Sequence, residues 1–388
     1  MLVTEFFLFF FAVLAFIAFP LHRKFVMYFA LISLFVFASY CYGGILYEFS
    51  LQPFLYVVKL GLTILSSYML AQLLFQKYPK VEDFFSQYLL RGYIVCLFLS
   101  AFIYIAFPYS DDLWVFLQNY GISFRGDPHR GRFISVYFDP NFFASIAFIP
   151  FCISMFLYKS TCRWKYFLFS TLFLLSGILT LSRSGIFVIG ICLCFIMLRE
   201  SRLLTKILIK KKSALLVLAV SFIGFAIALY RLPEFSRFLI RVIYITDDPS
   251  AAARWANFVQ GFVILKEHVF FGMGYNYLMK AFTERTDMYC VDSSMLFSLI
   301  NFGSIPFAVF FSFLAYSYMQ FVRSMSRWKR ENPAFRCLMA DFHLYILLIV
   351  FFASFFNNVL YYNFWLIPML TICFYLSLYA KKHFPLKE

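Results

Sequence analysis

Apolar stretches comparable in length to a bilayer core recur along the whole chain, separated by short polar segments. A spanning helix needs about 20 mainly apolar residues. Eleven stretches meet or approach that length: 2–20, 25–42, 53–75, 92–108, 142–158, 166–182, 185–198, 213–230, 294–322, 342–357 and 363–380. The pattern predicts an all-α polytopic membrane protein of about eleven transmembrane helices, with residues 1–388 forming a single integral membrane domain. The seventh stretch is short enough to be tilted or partly re-entrant, and the ninth is long enough to project beyond the bilayer. Two external segments are too long to be mere connectors: a loop at 109–141, and a large loop of 63 residues at 231–293, between spans eight and nine.

Loops that remain in the cytoplasm carry an excess of Lys and Arg. Sorted alternately, the connections 21–24, 76–91, 159–165, 199–212, 323–341 and 381–388 hold 22 basic against 6 acidic residues, and the other set holds 11 against 13. The basic set is read as cytoplasmic. This gives a multi-pass membrane protein with its N-terminus on the outer side and its C-terminus cytoplasmic. The first apolar stretch lacks the basic n-region and small-residue cleavage site of a signal peptide and is expected to stay in the mature protein.

Composition agrees. With 63% hydrophobic and 14% charged residues among 388, a water-soluble globular protein is excluded, and 58 Phe with 27 Tyr exclude a disordered chain. The net charge of +15 follows from the topology and gives no sign of a nucleic-acid partner. The nine cysteines are scattered, and only Cys290 falls on the expected outer side, so they supply no external disulfide framework within one chain. His129 and His268, the only outward histidines, are a weak basis for a metal site, and no metal is assigned.

The choice of outward cation changes the picture. Nine of the eleven outward basic residues are Arg, whereas 9 of the 22 inward ones are. Topology sorting does not distinguish Arg from Lys, but a guanidinium grips phosphate or carboxylate bidentately. The bias suggests an anionic ligand on the outer side. Within the large loop, residues 233–245 read as an interfacial helix whose Arg237 and Arg241 face lipid headgroups or a ligand. Asp248-Pro249-Ser250 then opens a helix to about 268, with Trp255, Phe258, Val259, Phe262 and Val263 as its apolar stripe and Arg254 at the edge. Arg254 is read either as sharing an anion with the helix-start amides or as one half of an ion pair.

Gly272 and Gly274 end that helix, and the chain runs through Tyr275 and Arg285 to Asp292 at the mouth of span nine. Asp292 is either a helix cap or a base. Arg125, Asp127, His129, Arg130 and Arg132 precede the entry Asp139-Pro140-Asn141, and Thr180, Ser182, Arg183 and Ser184 fill the outer turn between spans six and seven. Arg183 either snorkels to headgroups or meets phosphate or a buried acid.

Arg132 through Asp139-Pro140-Asn141, Leu181-Ser182-Arg183-Ser184-Gly185, Arg254-Trp255 leading to His268 and Gly272-Met273-Gly274, and Asp292-Ser293 with Gly303 beyond are similar in order and side to the O-antigen polymerase and ligase superfamily. Ligases of that superfamily typically carry His-Asn where this chain has Asp292-Ser293, so the resemblance points to the polymerase branch. It implies a GT-C-like fold and a metal-independent glycosyltransferase of the bacterial inner membrane, with its N-terminus periplasmic, no cofactor and no nucleotide sugar, that polymerises repeat units linked to undecaprenyl pyrophosphate on the periplasmic face. Its implied partners are the lipid-linked donor and acceptor, membrane lipid and a chain-length regulator. Arg254, Arg132, Arg183 and Arg285 would hold the donor pyrophosphate, Asp292 would be the base, and Arg125, Asn141 and Tyr275 would contact substrate. Tyr120, Tyr137, Trp255, Tyr275 and Tyr289 are candidate sugar-stacking rings or members of an interfacial aromatic belt. The alternatives are a ligase that moves finished glycan to lipid A core, and a flippase or transporter for the same lipid-linked sugar. Transporters favour buried charge at mid-membrane and helices broken at Gly or Pro. In the sequence, Lys59 is the one clear intramembrane charge and glycine is scarce.

Overall fold

The computed structural model describes residues 21–122, 129, 131–199, 249–278, 291, 293–309 and 332–383, with isolated positions between 236 and 319. The elements are helices, with no strand among the described residues. We label them α1 (Arg23–Tyr47), α2 (Leu51–Lys77), α3 (Val81–Ala106), α4 (Ser110–Asn119), α5 (Pro140–Thr161), α6 (Trp164–Leu179), α7 (Arg183–Arg199), α8 (Pro249–Glu267), α9 (Ser294–Phe302), α10 (Pro333–Phe356) and α11 (Asn363–His383). Six of these, α1, α2, α3, α5, α10 and α11, are long and apolar enough to cross a membrane. They correspond to expected spans two, three, four, five, ten and eleven. Spans six and seven correspond to the shorter α6 and α7, while 2–20 and 213–230 lie outside the described residues.

Three expected boundaries are corrected. Span four begins at Val81, well before residue 92, because Val81, Phe84, Phe85, Leu89 and Leu90 form a buried helical stripe within what reads as a polar connection. Span ten begins at Pro333, before residue 342, and so takes in Asp341. Span nine is not one continuous rod: α9 stops at Phe302, and helix resumes at 304 after Gly303, whose φ is +75°. Both α3 and α10 contain a π-helical turn, at Phe84–Leu89 and Ile349–Ala353.

The chain divides into two compact units. The first comprises 1–85, 253–336 and 354–388. In it α2 packs along α11, with Phe25 stacked on Tyr68 at 3.7 Å between ring centroids and Phe374 edge-on to both. Thr63 Oγ1 donates to Asn363 Oδ1 at 3.1 Å, fixing the start of α11 against mid-α2. The second unit comprises 86–252 and 337–353. Its centre is α5, of which 78% is buried against 50% or less for any other candidate span. Small residues set the approach here: a Cβ on Gly185 would overlap Ala144, and Gly177 faces Ala147 and Ile189. Such contacts suit helices in lipid, where close van der Waals packing drives association.

Candidate functional site

In the second unit the 109–141 segment is pinned down by backbone. Phe133 N donates to Leu179 O at 3.1 Å, Val136 N to Ser100 Oγ at 3.0 Å, and Ser110 N to His129 O at 2.9 Å. This places Arg132 beside the α6–α7 turn. Its Nε donates to Thr180 O at 2.9 Å, one terminal nitrogen donates to Asn141 Oδ1 at 3.1 Å, and the other lies 3.4 Å from His129 Nδ1. Asn141 is itself held at the start of α5, where Asp139 caps its amide at 2.6 Å and Pro140 occupies the first helical position. The entry thus forms as its sequence predicts. Ser182 Oγ accepts from Gly185 N at 3.3 Å, and half-buried Arg183 is the first residue of α7. Arg132 and Asn141 are therefore joined directly, with Arg183 three residues beyond the carbonyl that Arg132 binds. Arg132 acts as a clasp between the loop and the turn. Tyr137 is largely enclosed, and burial drives its phenol well above the ordinary tyrosine range, ahead of a smaller contribution from Cys96.

In the first unit Arg254 lies on the packed face of α8. That face also holds Phe258, Gly261 and Ile264, and a Cβ on Gly261 would come within 2.6 Å of Leu296 and 3.1 Å of Ile300. Trp255 is 72% exposed and Val259, Phe262 and Val263 are about half exposed, so most of the apolar stripe points away from the unit. The helix turns inward the face carrying its glycine because that face permits the closest approach to α9. The Nε of Arg254 is shielded from solvent and makes no hydrogen bond among the described residues.

Beyond α8, His268 Nε2 lies 3.0 Å from Tyr47 Oη at the end of α1. The chain then enters the break after α9. Met273 N donates to Ile300 O at 2.8 Å and Gly274 N to Asn301 O at 3.1 Å, while Ser304 N donates to Val269 O at 2.7 Å and Ile305 N to Phe270 O at 3.3 Å. Backbone groups freed by ending a helix inside the fold are thereby satisfied. The fully buried Asn301 closes the joint, its Oδ1 accepting from Asn276 N at 2.6 Å and its O accepting from Ser39 Oγ at 3.0 Å.

Tyr275 falls in this joint, 3% exposed and stacked on Phe302 at 5.4 Å, so its ring packs the core. Burial raises its phenol far above the usual range. The start of α9 is capped by Ser293, whose Oγ accepts from Leu296 N at 3.2 Å and donates to Ser354 O at 3.0 Å. Ser298 and Tyr361 share a hydrogen bond of 2.6 Å, and burial pushes the Tyr361 phenol up to about 12. Asp292, Arg285 and Arg125 lie outside the described residues, as do Asp127, Arg130, Arg237, Arg241 and Tyr289. Among the described sites, then, Arg132 and Asn141 meet in one unit, and Arg254 and Tyr275 belong to the other.

Three polar features escaped the sequence reading. Asn301 was legible as an amide inside an apolar run. Asp341, 3% exposed, pairs with Arg199 at 2.6 Å; both read as residues of polar loops, although a mainly apolar run, interrupted at His343, follows Asp341. The Tyr47–His268 contact joins residues 221 apart, and no local pattern announces it.

The fold and these polar joints define a multi-pass helical membrane protein. Residues 167–311 match the family model described as O-antigen ligase. The match supports the O-antigen polymerase and ligase superfamily, the one that the sequence motifs resemble. It takes in Arg183, Arg254, Tyr275, Arg285 and Asp292, and leaves Arg125, Arg132 and Asn141 ahead of it. No curated protein and no solved structure gives a significant match to the chain.

Proposed function

We propose that the protein is a glycan-transferring enzyme that polymerises oligosaccharide repeat units carried on undecaprenyl pyrophosphate, at the periplasmic face of the inner membrane. The observation that supports this most is Arg254. It lies within the segment matching the O-antigen ligase model, on the packed face of α8, with a buried Nε that has no hydrogen-bond partner among the described residues. A shielded donor left unmatched is costly, and an anionic ligand relieves that cost.

In the proposed reaction the acceptor hydroxyl attacks the anomeric carbon of the donor. The bond from that carbon to the pyrophosphate breaks, and charge grows on the departing diphosphate. Preorganised guanidinium groups stabilise that charge, chiefly Arg254, with Arg285 in support. Asp292 takes the hydroxyl proton. Arg132 keeps the outer turn in shape through Thr180 and Asn141 and presents Arg183 at the start of α7.

The description of the matching family as an O-antigen ligase favours a second reading, transfer of finished glycan to lipid A core. A deletion strain separates the two. Loss of a polymerase leaves single repeat units on the core; loss of a ligase leaves bare core with accumulated lipid-linked polymer. Long-chain glycan at normal levels in the deletion strain overturns both.

A further inference from the structure

The large loop at 231–293 reads as external with interfacial helices, and α8 within it presents an apolar face to its surroundings. Trp255, Val259, Phe262 and Val263 follow one another at helical spacing and are 72%, 48%, 50% and 50% exposed. Four large apolar side chains on one stripe of a 19-residue helix form a patch that water does not favour. The helix is not among the six that can cross a membrane by length and composition, and Arg254, Lys266 and Glu267 are spread along it.

Exposed apolar side chains continue past the helix end toward a candidate span. Past the helix end, Phe270 and Phe271 are 63% and 54% exposed, and the Phe271 ring lies 6.0 Å from that of Tyr42 on α1, a candidate span. On the other side, Ile305 N bonds to Phe270 O, and Ile305 is itself 48% exposed beyond the break in span nine. The apolar face of α8 thus runs into the outward surfaces of helices that must meet hydrocarbon.

We propose that α8 lies in the surface layer of the bilayer, with Trp255, Val259, Phe262 and Val263 among the acyl chains and Arg254 on the opposite, protein-packed face. The partner is bilayer lipid. An amphipathic helix in the interface plane has this division of faces, and Trp is favoured at that depth. The proposal does not depend on the reaction catalysed.

The test uses full-length protein in lipid nanodiscs. Trp255 emission is isolated as the difference between the parent and Trp255→Phe. The proposal expects that component to be lost in lipid brominated on the acyl chain and retained with acrylamide in the water. Quenching by acrylamide alone places the face in water and overturns the proposal. Quenching by neither means that a protein partner or a second copy covers the face, which also overturns it. Nitroxides at positions 255, 257, 259, 262 and 263 give an independent readout: oxygen access should rise at 255, 259, 262 and 263 and fall at 257, with the period of about 3.6 residues of a helix lying on lipid. Flat access along the series, or preferential access of a water-soluble nickel chelate, overturns it.

Discussion

A Cβ placed on Gly272 would lie 2.5 Å from the backbone nitrogen of Gly303. The two glycines, at φ +67° and +75°, let the chain after α8 and the break after α9 touch backbone to backbone. Gly272→Ala and Gly303→Ala should each destabilise the protein by about 1–3 kcal/mol from the left-handed conformation alone, with overlap added. Gly190→Ala, which has open space around it, is the control and should be near neutral. Thermal unfolding in detergent measures all three, and equal stability across the set would remove the joint from the account.

Arg254→Ala should lower glycan polymerisation on the order of a hundredfold, the scale of losing one preorganised donor to a developing negative charge. Arg254→Lys keeps the charge but loses the planar fork and should recover only part. Chain-length profiles on gels, normalised to protein abundance, provide the measurement. Full-length glycan in the alanine variant would exclude Arg254 from the reaction.

Asp292 and Ser293 separate base from cap. The cap of α9 is Ser293, so Ser293→Ala should reduce stability by about 1 kcal/mol with turnover largely retained. Asp292→Asn should do the reverse, abolishing polymerisation while leaving the melting temperature close to that of the parent. Unchanged polymerisation in the asparagine variant would deny Asp292 its proton-accepting role.

Arg132 and Asn141 are expected to be coupled. Their 3.1 Å hydrogen bond predicts that Arg132→Ala and Asn141→Ala are non-additive, with an interaction energy of about 0.5–3 kcal/mol in a double-mutant cycle on thermal stability. Simple addition would mean that the bond contributes nothing.

Asp341→Asn strands the Arg199 charge. Breaking a buried pair costs about 3–5 kcal/mol, and because the Arg199 side chain is 23% exposed, the lower end is expected. Arg199→Met combined with Asp341→Leu should restore much of that stability, since neither charge then remains. A double variant as unstable as the single one would show that the pair itself is needed.

Helix existence was legible because lipid demands long apolar runs, and the six candidate spans fall where those runs lie. Boundaries slipped where polar residues ride on a helix with one packed face, as at Val81–Leu90 and before Asp341. Asp139-Pro140 could be read because a cap and a fixed φ act locally. The orientation of α8 could not. Amphipathic periodicity names an apolar face but not what covers it, and here the glycine face packs while the apolar one faces outward. The break at Gly303 was also hidden, since an apolar run says nothing of φ, and the partners for the opened turn come from the distant Val269–Gly274 backbone and from Ser39.

The first unit draws its pieces from 1–85, 253–336 and 354–388. During vectorial synthesis, α1 and α2 therefore leave the ribosome long before α11 exists, with the Thr63 hydroxyl and the Phe25–Tyr68 stack facing a vacancy that Asn363 and Phe374 later fill. The nascent chain must wait in the membrane half-assembled, under the protection of the insertion machinery or of lipid, until more than 350 residues have been translated.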